Sequence, residues 1–322
     1  MLFITNRALD QSKRTRIGRN VTFALNDNEA GQSVYFCQRQ QQDVYEEIGN
    51  KNFFQALKES KYEQIMIFIH GFSNLPEPHI FPTTQVLQQL FDQQEANLVQ
   101  VVPIIWPCDN DRGLVQDYWD DQQAADASAQ AFARVFEKFM AWRDEEAKAD
   151  EPCIKRLNIL AHSMGNRVFR GSIKAWGKYF RSYRLPLIFR NVFLVAADVV
   201  NESLEDQDGG LLCETARNVS VYYASDDLAL RASKVGNLRN RVASRRLGHT
   251  GPENMAKVPK NVFAIDCDDV NTAYDDRIGH TYFLYDESRT RPGIVFNHIF
   301  NAIKTGRIEV DIPGGKTRIL RP

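Results

Sequence analysis

The sequence predicts an α/β protein built on a mostly parallel sheet with helices on both faces. Three observations predict it: strand-length apolar runs recur along the chain, helical patterns lie between them, and neither a linker nor an internal repeat divides the whole. The first predicted strand is "SVYFC" (Ser33 to Cys37). It is followed by "IMIFI" (Ile65 to Ile69), "VQVVPII" (Val99 to Ile105), "LNILA" (Leu157 to Ala161), "VFLVAA" (Val192 to Ala197), "VSVYYA" (Val219 to Ala224) and "VFAI" (Val262 to Ile265). Each is rich in β-branched or aromatic residues and apolar on both faces, as strands covered from both sides are. Between Ala131 and Met140 the large residues Phe132, Val135, Phe136, Phe139 and Met140 repeat at helical spacing, and Val168, Phe169, Ile173 and Trp176 do so further on. Alternation of this kind favours right-handed parallel crossovers. One domain spanning 1–322 is expected, with a core over about 60–305 and residues 1–59 packed on it as an extension. The tail "IEVDIPGGKTRILRP" suits an edge hairpin or an extended surface segment equally.

Composition excludes several classes. Lys and Arg total 40 against 41 Asp and Glu, so no global field draws in nucleic acid or an anionic membrane, and neither is an expected partner. The five cysteines lack zinc spacing and read as reduced thiols, which implies a cytoplasmic setting; no metal or cofactor is expected. The start "MLFITNRALDQSKRTR" places apolar before basic residues, the reverse of a secretory signal. No run approaches the roughly 18 to 20 apolar residues that span a bilayer, because Arg190 divides "LPLIF" from "NVFLVAA".

The chemistry begins at "AHSMG" (Ala161 to Gly165), where a strand runs into a serine and then a helix pattern. A serine hydroxyl is a weak nucleophile until a base takes its proton and N–H donors hold the oxyanion that forms. A sharp strand-to-helix turn exposes Ser163 and supplies one donor, the Met164 amide; the small residues Ala161 and Gly165 let it close. Helix capping is the competing use of such a serine. The loop after an earlier strand, "IFIHGFSN" (Ile67 to Asn74), supplies a second donor in the Phe72 amide, with His70 in a structural role.

Six histidines compete for the base. His70 and His162 lie inside the two turns, His79 sits in a Pro-bounded loop and His298 in a helical stretch. His280 in "RIGHTYF" follows the last strand and is placed to reach over the carboxyl edge of the sheet, with His249 in "RRLGHTG" as its alternative. Asp227 in "YYASDDLALRAS" is the acid, at a strand-helix junction; Asp226 beside it and Asp198, which ends "VFLVAAD", stay open as alternatives. Asp266, Asp268, Asp269, Asp275 and Asp276 lack the pattern of a calcium loop and read as a solvated acidic loop.

The motifs "FIHGF", "IIWPCD", "YWDDQQAADASAQAF", "LAHSMGNRV", "VAADV", "YYASDDLALRAS", "RRLGHTG" and "GHTYF", in that order over roughly Ile65 to Phe283, resemble an α/β hydrolase, and more narrowly a branch known as a domain of unknown function. The resemblance implies an eight-stranded type of hydrolase sheet, Ser163 as nucleophile, Asp227 as acid, His280 as base, and Phe72 and Met164 as oxyanion donors. The chain departs from the pattern at Ala161, where glycine is usual. The expected activity is a serine hydrolase acting on a carboxylic ester or related acyl bond of a small molecule. An acyltransferase with the same triad, or a non-catalytic binding protein on the same fold, is the alternative. Only "VNESLEDQDGGLLCETAR" (Val200 to Arg217) stands where a lid is often inserted, so little or no lid is expected. Trp106 and Tyr118 are candidates for lining the substrate pocket, core packing being the other fate of such aromatics. Arg231, Lys234, Arg239, Arg241, Arg245 and Arg246 occur between Leu228 and Gly248 without a carboxylate. That stretch suits either a solvated helix or a collar for anionic substrates.

Overall fold

The computed structural model describes residues 1–11, 17–108, 114–205, 210–231, 245–276 and 278–322. The strands are β1 (Leu2–Thr5), β2 (Arg19–Val21), β3 (Tyr35–Gln41), β4 (Val44–Glu47), β5 (Gln64–Ile69), β6 (Val99–Ile105), β7 (Arg156–His162), β8 (Phe189–Val195), β9 (Ala216–Tyr223), β10 (Val262–Asp266) and β11 (Thr317–Ile319). The helices are α1 (Gly49–Glu59), α2 (Phe81–Gln94), α3 (Leu114–Glu146), α4 (Gly165–Phe180), α5 (Gly210–Glu214), α6 (Leu247–Thr250), α7 (Asn271–Tyr274) and α8 (Ile294–Thr305). All described strands join one sheet in the order β11-β10-β9-β8-β7-β5-β6-β1-β3-β4-β2. From β11 to β1 every neighbouring pair is parallel, while β3, β4 and β2 continue it antiparallel. The crossovers bury both faces. Phe53, Phe132, Phe169 and Trp176 of α1, α3 and α4 pack on one face, and Leu87, Phe91, Phe296 and Ile299 of α2 and α8 on the other. Each such side chain contributes about 1.5–3 kcal/mol on burial.

The six strands from "IMIFI" to "VFAI" form as their composition predicts. Residues 1–59 enter the sheet itself: β1 is hydrogen-bonded between β6 and β3, and β2, β3 and β4 complete that end. The strand read as "SVYFC" starts at Tyr35 and continues through the glutamine-rich patch to Gln41. The tail pairs with β10 as the short parallel edge strand β11. Beside the expected eight-stranded parallel block, the described residues therefore include three antiparallel strands. Helix α3 is 33 residues long and begins well before Ala131, because the alanine-rich segment ahead of that residue favours helix as well. Of the segment read as too short for a lid, α5 packs Leu212 and Cys213 into the core.

Two features fix the position of the site. Strand β5 pairs with β6 on one side and β7 on the other, so the chain reverses its winding there and the loops after β5 and β7 diverge, leaving a crevice at their carboxyl ends. Near the opposite ends, a buried amide ladder locks the register. Asn191 Nδ2 donates to Asn158 Oδ1 at 2.8 Å, Asn218 Nδ2 to Asn191 Oδ1 at 2.9 Å, and Asn158 Nδ2 to Gln64 Oε1 at 3.3 Å. A one-residue slip would carry each amide to the other face and orphan its neighbours, at about 1–3 kcal/mol apiece.

Candidate active site

Strand β7 ends at His162, and Ser163 then adopts φ +53° before α4 starts at Gly165. A non-glycine residue with positive φ is uncommon and strained, so the surroundings must hold it. The Ser163 N–H donates to Val195 O at 3.0 Å, and the Ser163 carbonyl accepts from Asp198 N at 3.2 Å and from the Asn166 backbone and side chain. Asn166 Nδ2 also reaches Ala161 O at 2.9 Å. Of the two small residues flanking the serine, Gly165 is the one the packing demands: a β-carbon there would lie 2.5 Å from Ile69 O. Ala161 fits inside the strand, fully buried.

The loop after β5 lies against this turn. A β-carbon on Gly71 would sit 3.0 Å from Ser163 Cβ and 3.5 Å from its hydroxyl oxygen. Asn74 Nδ2 donates to the carbonyls of Gly71 and Phe72, and Ser73 N–H donates to the buried Asp121 at 2.8 Å. Those bonds hold the backbone in place, and Ser73 itself has φ +58°. Among the described residues, the N–H groups of Phe72 and Met164 have no protein acceptor. Both amides belong to segments packed around Ser163.

His70 has the structural role read for it. Its Nε2 accepts from Trp106 N–H at 3.2 Å, so Nδ1 carries the proton and donates to Gly71 O at 2.7 Å, while the ring stacks on Trp106. Burial pushes its pKa down to about 3, keeping it neutral. Trp106 is buried completely, and its indole N–H donates to His70 O at 2.9 Å, so it supports the loop from beneath and packs as core. Tyr118 contacts the Phe72 ring edge-on, and its hydroxyl donates to Asp198 Oδ2 at 2.7 Å.

The structure pairs His280 with Asp227: the imidazole Nδ1–H donates to Asp227 Oδ2 at 2.6 Å, and the carboxylate is fully buried. Its other oxygen accepts from Leu230 N–H at 3.0 Å, so Asp227 caps the turn it begins while orienting the imidazole. Asp226 turns elsewhere and accepts from Asn271 Nδ2 at 2.6 Å. Burial works against a charged imidazole, but Asp227, its hydrogen bond, and then Asp198 and Asp275 outweigh it, raising the His280 pKa above the ordinary value. Ser163 and His280 share no direct hydrogen bond among the described residues. His162, next to Ser163 in the chain, contacts His280: its Nε2–H donates to His280 O at 3.2 Å and its ring lies 4.8 Å from the His280 ring. Burial, and then His280, push the His162 pKa down to about 3.

The alternatives lie elsewhere. Asp198 is buried with Arg246, Nε to Oδ1 at 3.1 Å, and holds Tyr118 with its other oxygen. His249 sits half-buried on α6, whose Gly248 is wedged against Ala197 where a β-carbon would come within 2.1 Å of the backbone nitrogen. His79 accepts from Leu75 N–H, and His298 lies on α8 beside the Tyr222 hydroxyl. Of the basic stretch, Lys234, Arg239 and Arg241 fall outside the described residues.

Sequence reasoning missed the supports. Asp275 belongs to the acidic segment read as solvated, yet its Oδ2 accepts from both His280 N–H and Thr281 N–H at 3.0 Å. Asn271 Nδ2 holds Gly279 O at 3.1 Å, across a turn where Gly279 has φ +68°. The aspartate four residues before a Gly-His pair was the available signal. Asp121 was visible only as half of a doubled aspartate. Among the described residues no group of acidic, histidine or cysteine side chains is arranged to hold a metal, and no helix is long and apolar enough to cross a membrane.

A parallel sheet covered on both faces, with a strained serine turn at its switch-point crevice, defines the class of the molecule as an α/β hydrolase. Residues 46–293 match the model of a family described as an alpha/beta hydrolase of unknown function (DUF900), and the chain belongs to that family. No curated protein matches the chain. Among solved structures, it is similar to the phospholipase PlaB from Legionella pneumophila in complex with thio-NAD, at 16% identity and a TM-score of 0.28 over 63% of this chain; the match spans 37% of that one. It is also similar to a lipase-esterase related protein from Clostridium acetobutylicum, at 11% identity and a TM-score of 0.25 over 82% of this chain and 87% of that one.

Proposed function

We propose that the protein is a serine hydrolase cleaving a carboxylic ester or related acyl bond of a small molecule, with Ser163, His280 and Asp227 as its triad. The observation that carries this reading is the 2.6 Å bond from His280 Nδ1 to the buried Asp227, on a turn whose His280 carbonyl is held by His162, the residue before the strained serine. With Nδ1 donating to Asp227, the Nε2 lone pair is the basic one. It takes the Ser163 proton as Oγ attacks the substrate carbonyl, and the Phe72 and Met164 N–H groups donate to the developing oxyanion. The tetrahedral adduct collapses, His280 protonates the leaving oxygen, and the acyl group stays on Ser163. His280 then deprotonates a water that attacks the acyl enzyme, releasing the carboxylic acid and free Ser163. A Ser–His hydrogen bond that is open in the free protein tightens when substrate fills the site, as catalytic hydrogen bonds often do.

The test is intact-mass measurement after exposure to a fluorophosphonate. One adduct is expected on the parent chain and none on Ser163→Ala. A folded parent chain that takes up no reagent, and hydrolyses none of a series of chromogenic acyl esters, would refute the assignment.

A further inference from the structure

At the end of the sheet opposite Ser163, the starts of β7, β8 and β9 border a groove of about 370 Å³. Its lining includes Arg143, Lys155, Arg156, Arg190 and Arg217 and no carboxylate. The Lys155 ammonium turns away to the carbonyls of Ser60 and Tyr62, and Arg143 donates to Lys155 O at 3.4 Å. Arg156, Arg190 and Arg217 remain, and among the described residues none of the three has an ion pair or a side-chain hydrogen bond. The chain as a whole carries 40 basic and 41 acidic residues, so this cluster is a local arrangement and not the by-product of a basic protein.

The backbone gathers the three. Arg156 is the first residue of β7, and Arg190 and Arg217 are the second residues of β8 and β9. Leu157 and Asn158 of β7 face Phe189 and Asn191 of β8, so Arg190 is the extra residue of a β-bulge. Bulges re-aim a side chain and tend to recur beside functional sites. Here the bulge carries the guanidinium to the end of α8, where a β-carbon on Gly306 would lie 2.1 Å from Arg190 Nη2. The Arg190 Nε–H is shielded from solvent without an acceptor. Burial, and then Arg156 and Arg217, lower the Arg190 pKa, the mark of cations crowded together without a counter-charge. Arginine does not relieve such crowding by losing its proton at neutral pH, whereas a bound anion would relieve it.

The remaining walls are apolar. Met140 and Pro186 line the groove, and Ile154 and Leu187 stand at it with 85% and 64% of their surface exposed. We propose that this groove binds a monomeric anionic amphiphile, its oxyanion head on Arg156, Arg190 and Arg217 and its aliphatic chain along Met140, Ile154 and Leu187. The volume falls in the range of about 300–1,000 Å³ that small-molecule sites occupy, and a groove suits a single chain better than the flat face of a bilayer does. This assignment does not rest on the hydrolase reading.

Isothermal titration calorimetry on the full chain tests it, using octyl phosphate, octanoate, octanol and inorganic phosphate below micellar concentration. Octyl phosphate or octanoate is expected to bind at one site, with octanol and phosphate each weaker by about tenfold or more, since each lacks half of the recognition. Binding should weaken as sodium chloride rises. Arg190→Gln and Leu187→Asp should each lower the affinity about tenfold, Arg190→Lys less, and His280→Ala not at all, which separates this groove from the crevice at Ser163. Arg156→Gln and Arg217→Gln replace exposed side chains and keep the test valid where Arg190→Gln disturbs folding. Affinity unchanged in all three arginine variants, no binding by either octyl anion, or binding only to phosphatidylglycerol vesicles would each overturn the proposal, the last by making the face a lipid dock.

Discussion

Strands β7, β8 and β9 end in two different environments. At their carboxyl ends charges are buried in couples: Asp227 with His280, and Asp198 with Arg246 and Tyr118. The backbone there is strained, with Ser163 after β7 and Ala196 after β8 at positive φ. At their amino ends the amide ladder keeps the strands in register, and three arginines stand without acidic partners. The difference follows from solvent. A charge cut off from water is tolerated only beside its opposite, whereas an arginine at a rim keeps part of its hydration and waits for an anion. At the serine turn the surrounding hydrogen bonds over-determine the backbone, and so hold its strain.

Four experiments probe this contrast, in descending order of effect. Substitution Ser163→Ala should reduce turnover of an acyl ester by about 10⁶-fold, and Asp227→Asn by about 10⁴-fold through loss of the imidazole orientation. Asp226→Asn, one position away, should change kcat/KM only a few-fold; equal losses at the two aspartates would contradict the pairing. Next, Asp198→Asn leaves Arg246 buried beside a neutral amide, and the loss of stability should be about 3–5 kcal/mol by urea denaturation.

The third experiment is a pH series. His280 must be neutral to accept a proton, and its pKa is raised, so the acid limb of kcat/KM should be centred above pH 6.5. A midpoint below that value in the parent chain would show that the carboxylates do not dominate its burial. Stability runs the opposite way for the buried histidines whose pKa values are depressed. His70 and His162 have folded pKa values of about 3, so the unfolded chain binds more protons below pH 6.5, and stability is lost as pH falls from there toward 3. His280 contributes in the reverse sense, its share being present below pH 6.5 and lost as pH rises through its raised value. His79 and His298 are depressed as well, so the opposing groups outnumber His280, and stability in urea should drop between pH 7.5 and pH 5, by on the order of 1–2 kcal/mol each for His70 and His162. The smallest effect is expected at the other rim. Arg190→Gln should leave turnover unchanged and the melting temperature equal or higher in low salt, since it removes a crowded cation. A clear loss of stability would mean that the arginine cluster is already compensated.

The serine turn was legible because its chemistry is local: a strand, a small residue, a nucleophile and a glycine must occur within a few positions. His280 and Asp227 were legible as loop residues after strands, but the choice between Asp226 and Asp227 was not. Adjacent residues differ only in which way the turn points them, and that depends on Asn271 taking one and His280 the other. Strands β1, β2 and β4 were missed and the pairing of the tail as β11 stayed open, since segments of three or four residues have no periodicity to read and form only by pairing with a neighbour. Trp106 was weighed for the pocket and lies in the core, because the residue at the end of β6 is covered by the loop that His70 anchors.

By itself, then, the order of residues determined the parallel block, the helices over it, the place of the serine turn and the short roster of ionisable partners. Each of these follows from side-chain periodicity or from steric demands over a few neighbouring bonds. Tertiary structure decided which carboxylate meets which imidazole, how the loop after β5 closes on Ser163, and that arginines far apart along the chain meet at one rim. Those outcomes depend on strand register and crossover direction, and contacts between distant segments exist only once the whole sheet has assembled.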